Sequence, residues 1–234
     1  MASLPVLPAL IGAALLVSGC SLSVDLGDGD TKRRVETDTI PIADLTRLDV
    51  STGNGAIEVT AADVEEIVVR SVFRESDPGD ASSEIDVGTD ELVVRGVCDS
   101  GWFESCQVAF ELTVPADLDV SVDTDNGRIL VDGVAGDVAL TSNNGAVTGL
   151  HLASDDARAE TDNGRVELRF DDVPDFVDAV SDNGAIEIMV PDEAYDVEAI
   201  TDNGGIDVDV VDQDDAERRI IAETDNGSIH VGAA

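Results

Sequence analysis

Aromatic residues make up only 3% of the 234 residues, so a core must come from Val, Ile, Leu and Ala. Lys32 is the single lysine, which leaves little room for Schiff-base or isopeptide chemistry. The two histidines, His151 and His230, lie far apart in sequence. Three cysteines are too few for a zinc site without other ligands. Basic residues number 13 against 51 acidic ones, a formal charge of −38. Nucleic acid and anionic lipid faces, which need clustered Arg and Lys, are therefore not expected partners. The length suits one domain or two small ones with a sizeable core.

Residues 4–17 are apolar, too short for a comfortable membrane span of about 20 residues, and match the central part of a secretory signal. The run ends in Val17-Ser18-Gly19-Cys20, which resembles the bacterial lipobox. That resemblance implies cleavage before Cys20 and a lipid on its thiol; an ordinary signal cut near Gly19 is the other reading. Residues 1–19 are thus expected to be a lipoprotein signal peptide and 20–35 a lipid-anchored flexible tether. The protein would then sit on the outer face of the bacterial cell membrane, in the cell envelope. Cys98 and Cys106 remain, eight positions apart. They close a short loop as a disulfide or stay as two buried thiols, and export favours the bridge.

The rest of the chain repeats. TGNGAIEV (52–59), TDNGRILV (124–131), SNNGAVTG (142–149), TDNGRVEL (161–168), SDNGAIEI (181–188), TDNGGIDV (201–208) and TDNGSIHV (224–231) align on Asn-Gly. The pairs are Asn54-Gly55, Asn126-Gly127, Asn144-Gly145, Asn163-Gly164, Asn183-Gly184, Asn203-Gly204 and Asn226-Gly227, spaced by 72, 18, 19, 20, 20 and 23 residues. Before each turn alternate residues are apolar and the last is Thr or Ser, as in Ala157, Ala159, Thr161. After it the alternation resumes, as in Val166 and Leu168. Period two means strands with one buried face.

Two architectures fit. Asn-Gly between strands is the usual two-residue hairpin signal. A β-solenoid, in which each coil stacks parallel on the last, better explains identical residues at identical offsets, because like side chains then form ladders. In it each glycine is expected to supply a positive φ at its corner, and each Asn amide to bond its counterpart one coil away. The fold expected is all-β, a single-stranded β-helix over residues 36–234 with coils of about 20 residues. Residues 116–234 carry the regular repeats and 36–115 the less regular ones, with room for three degenerate coils around 65–73, 83–97 and 107–115.

The T-x-N-G-x-I-x-V series, the segment CQVAFELTVP (106–115) and the following DLDVSVDTDNG resemble the bacterial "putative adhesin" family of β-strand-repeat proteins. The resemblance covers residues 36–234. It implies a right-handed β-helix, export or membrane tethering, and no established catalytic residues.

Asp125, Asp162, Asp182, Asp202 and Asp225 each precede an Asn, so a solenoid aligns them on one edge about 5 Å apart. Calcium bridging these carboxylates is one reading, since hard cations take oxygen ligands. Exposed turn residues bonding local backbone are the other, and the simpler. A polysaccharide-active β-helix enzyme would use paired acids roughly 6.5–9.5 Å apart. Catalysis needs unlike environments for unlike roles, however, and the column is nearly uniform. Trp102 and Phe103, inside the Cys98–Cys106 loop, suit recognition of a ligand or cover the end of the core. The last strand ends at Val231, so an open final coil is expected there, free for end-to-end self-association. The expected function is a non-catalytic, adhesin-like or envelope-binding module that takes an envelope protein or a glycan.

Overall fold

The computed structural model describes residues 32–76, 80–98 and 106–234. Cys20, Trp102 and Phe103 lie outside them. Among the described residues there are twenty strands and no helix.

The strands form two ten-stranded sheets around one aliphatic core. Each coil gives one strand to each sheet and crosses between them at its Asn-Gly corner. Asp156–Thr161, for example, lies in one sheet and Val166–Phe170 in the other. Neighbouring coils pair in parallel and in register, so Val138, Ala157 and Val177 meet across strands, as do Val147, Val166 and Ile186. This is the solenoid, and the Asn-Gly pairs are not hairpin turns. Register follows from burial, because a one-residue slip would turn every inward side chain to solvent. The core closes without many rings because one sheet brings small residues inward. Ala157, Ala159, Ala179 and Ala222 are buried there, while Ile129, Val147, Val166, Ile186 and Ile229 are buried in the other sheet.

The stacking order departs from the chain order at both ends. The strand Arg47–Asn54 pairs directly with Asp119–Asn126, so Asn54 and Asn126 are neighbours despite the 72 residues between them. Between them in sequence there is one further parallel coil, not three. Glu91–Cys98 and Cys106–Val114 pair in parallel with Arg47–Asn54 and Ile57–Ala61. The 65–73 region and the first part of the 83–97 region instead supply antiparallel covers, while residues 91–97 belong to the parallel coil. Glu66–Glu75 pairs antiparallel with Cys106–Val114 and with Lys32–Pro41, and Ala81–Val87 pairs antiparallel with Glu91–Cys98. The first strand begins at Lys32, so residues 32–35, expected in the tether, lie in a sheet.

At the other end the coil of Asn226 sits between those of Asn183 and Asn203. Ile229–Ala233 pairs with Ile186–Val190 on one side and Ile206–Val208 on the other. The return from 209 to 218 is long enough to bring the chain back by one rung, and Asp215 turns it with φ 65°. Asp tolerates that left-handed conformation better than most residues. Burial explains the exchange. Ile220, Ala222, Ile229 and Val231 are all at most 1% exposed, whereas the outer coil leaves Ile200, Ile206 and Val211 about half exposed. The expectation of an open coil at Val231 is therefore corrected: the uncovered edge is Ile206–Val208 and Val211–Asp212, two very short strands. Short edge strands limit unwanted pairing.

Candidate functional site

The repeated corner is the most regular feature of the surface. Each Asn side-chain amide donates to the Asn carbonyl oxygen of the neighbouring coil. The series runs Asn126 to Asn54, Asn144 to Asn126, Asn163 to Asn144, Asn183 to Asn163, Asn226 to Asn183 and Asn203 to Asn226, at 3.0–3.2 Å. All six bonds point the same way. Beneath them the Thr or Ser hydroxyl donates to the carbonyl of the neighbouring coil's corner glycine. Thr124 reaches Gly55, Ser142 Gly127, Thr161 Gly145, Ser181 Gly164, Thr224 Gly184 and Thr201 Gly227, at 2.9–3.1 Å. Thr52 makes the same bond to the Val108 carbonyl. Buried carbonyls left unpaired are costly, and this hydroxyl ladder answers them.

The corner glycines serve a purpose other than the one expected. Among them only Gly55 has positive φ, at 157°. What excludes a side chain is proximity. A Cβ on Gly164 would stand 1.9 Å from the Gly145 carbonyl oxygen, and one on Gly184 would stand 1.7 Å from that of Gly164. Backbone-to-backbone stacking at the corner leaves no room for a methyl group.

Cys98 and Cys106 are joined as a disulfide, with Cα atoms 5.9 Å apart. The bridge stands where the parallel coil of 91–114 turns from one sheet to the other, the place an Asn-Gly pair takes elsewhere.

The aspartate column runs in the stacked order Asp125, Asp162, Asp182, Asp225, Asp202, with Asn143 after Asp125. The corner uses their backbone carbonyls. That of Asp162 accepts from the Asn183 amide and that of Asp225 from the Asn203 amide, both at 2.9 Å. The side chains of all five are exposed, and Asp125 accepts from the Asn143 side chain at 3.2 Å. Among the described residues no three of these carboxylates lie within 4.8 Å of one another.

Two features carry no site expectation in the sequence, where no motif surrounds His151. His151 lies at φ 49° in a bulged strand, its Nδ1 2.8 Å from Asp132. The hydrogen bond to Asp132, with the charges of Asp132 and Asp171, raises its pKa above the ordinary 6.5. The second feature is a shallow groove of about 170 Å³ where strands of the alanine-rich sheet begin. Leu48, Val120 and Val138 line it beside Arg47, Asp119 and Arg158. Asp119 and Asp137 also accept from the backbone amides of the next coil, Asp137 and Asp156, both at 3.1 Å. No local motif announces the groove, because its residues come from five separate strands.

Two solved structures share the fold. A "putative cell adhesion protein" from Clostridium sporogenes matches with TM-score 0.51 at 9% identity, over 87% of this chain and 100% of that one. A "putative adhesin" from Bacteroides fragilis matches with TM-score 0.51 at 14% identity, over 86% and 97%. No curated protein matches. The family model described as Toastrack DUF4097 matches residues 37–233, from the first strand to the last. The chain belongs to the Toastrack DUF4097 family.

Proposed function

We propose that this protein is a bacterial surface lipoprotein, anchored through Cys20, whose solenoid is a non-catalytic, adhesin-like module that binds an envelope glycan or protein. The observation that carries the reading is the groove, whose accessible lining is a set of carboxylates and guanidiniums on consecutive coils, with Leu48, Val120 and Val138 buried behind it. Such a lining suits sugar hydroxyls, which carboxylates accept from and guanidiniums donate to. Arg158 is oriented by Asp156 at 3.3 Å and stands over the Phe176 ring at 5.2 Å. Arg47 is held by Asp90 at 2.9 Å. The adhesion-related descriptions of the two structural relatives agree with this reading.

The test is a glycan array followed by product analysis of every sugar retained. Retention without cleavage, weakened in Arg158→Ala, supports the binding module. Cleavage would replace it with a polysaccharide-active enzyme. The anchor is tested separately, by loss of membrane association and of labelled fatty acid in Cys20→Ala.

A further inference from the structure

Among the described residues, one group of three His, Cys, Asp or Glu side chains brings ligand atoms within 4.8 Å of one another: Asp207, Asp209 and His230. They lie on the outer face of the last two stacked coils. Asp207 is directly opposite His230 in the parallel pairing of Ile206–Val208 with Ile229–Ala233. The Asp209 amide donates to the Val231 carbonyl at 2.8 Å, so the ladder continues past the strand end. Asp209 is two residues from Asp207 and projects to the same face.

Three further observations point to an ion. First, His230 Nδ1 and Asp207 Oδ2 are 3.6 Å apart, within ion-pair reach of a protonated imidazole but too far for a hydrogen bond. The other histidine–aspartate pair of this protein, His151 with Asp132, closes to 2.8 Å. Two ligands on one tetrahedral ion with bonds of about 2.1 Å stand about 3.4 Å apart. Second, the ring rests over Gly232. A Cβ there would lie 2.8 Å from His230 Nε2 and 3.1 Å from the Met189 sulfur. The missing side chain gives the imidazole its place. Third, the nearby positive charges are committed elsewhere. Glu187, across from His230 on its other side, is paired with Arg165 and Arg169. No described Arg or Lys pairs with Asp207 or Asp209.

We infer that Asp207, Asp209 and His230 bind a first-row divalent ion of the zinc type, with the remaining coordination position open to solvent. An imidazole with two carboxylates suits such an ion better than calcium, which takes oxygen ligands alone. Because its ligands come from two coils, the ion would fasten the outermost coil to the one inside it.

Zinc titration of the full chain by calorimetry tests this, with Co²⁺ absorption as a second readout. The expected result is one equivalent of Zn²⁺ per chain. Affinity should fall at least ~10-fold in His230→Gln and in Asp209→Asn, and stay unchanged in Asp125→Asn, which removes the same charge far from the site. Circular dichroism of the metal-free variants checks that each is folded. The bound ion should slow amide exchange at residues 206–209. The inference is overturned if no stoichiometric uptake occurs, if both site variants bind as the parent does, or if calcium displaces zinc at equal concentration.

Discussion

Replacing Gly164 by Ala and Gly205 by Ala should move stability in opposite directions, although the chemical change is the same. A Cβ on Gly164 would stand 1.9 Å from the Gly145 carbonyl oxygen, 2.6 Å from its carbon and 3.0 Å from the Thr161 hydroxyl. Relieving that clash requires the two corners to separate by more than an ångström. Three hydrogen bonds cross this rung: Thr161 hydroxyl to the Gly145 carbonyl at 2.9 Å, Asn163 side chain to Asn144 at 3.0 Å, and Asn163 amide to the Asn143 carbonyl at 3.0 Å. At about 1 kcal/mol net for each, opening the rung costs about 3 kcal/mol. Removing glycine's freedom from the unfolded chain returns roughly 0.4–1 kcal/mol. The net loss of about 2–3 kcal/mol corresponds to a Tm lower by about 4–12 °C in a domain of this size. Gly205 follows Gly204 in the outermost corner, and a Cβ there meets nothing within 4 Å. Its φ is not in the left-handed region, so only the unfolded-state gain remains, and Tm should be unchanged or higher by about 1–4 °C. Differential scanning calorimetry of the two variants beside the parent reads the result. If Gly164→Ala melts within a degree of the parent, close backbone stacking is not what the corner glycines provide.

Three further outcomes follow from the same geometry. Reduction of the Cys98–Cys106 bridge releases a nine-residue loop, which the chain-entropy relation values at about 2.6 kcal/mol, so the reduced protein should melt about 5–10 °C lower. His151 has a raised pKa in the fold, so its pairing with Asp132 stabilises fully below about pH 6.5 and is lost as pH rises through the folded value. Asp132→Asn should therefore lower Tm at pH 5.5 and leave it unchanged at pH 9, and NMR should show the His151 midpoint falling towards its ordinary value. Hydrogen exchange should be slower at residues 219–231 than at 194–208, although the former are nearer the chain end. The opposite order would contradict the inserted final coil.

Much of the site was legible in the corner motif because ladders depend on identity at fixed offsets, and offsets are visible in sequence. The Asn series, the hydroxyls of Thr161 and its counterparts, and the inward Val and Ile of the covered coils occupy the expected places, while Ile206 in the uncovered outer coil is about half exposed. The reason for the glycines was not legible. Positive φ and close backbone approach both select glycine, and only the 1.7–2.0 Å clearances at the corners separate them. The groove residues Arg47, Asp119 and Arg158, and the trio Asp207, Asp209 and His230, carry no spacing signal, since strand pairing across long separations brings them together.

By itself, the sequence determined the coil: its length, its inward and outward residues, its corner and its preference for like neighbours. Those properties are local, set by the two-residue period of a strand and by turn chemistry. Only the tertiary structure decided which coil stacks on which. Seven nearly equivalent rungs can accept one another in many orders, so the corner motif does not distinguish Asn183 beside Asn203 from Asn183 beside Asn226. Burial breaks that degeneracy, placing the aliphatic coil of Ile220, Ile229 and Val231 inside and leaving the acidic coil of Asp207 and Asp209 at the end.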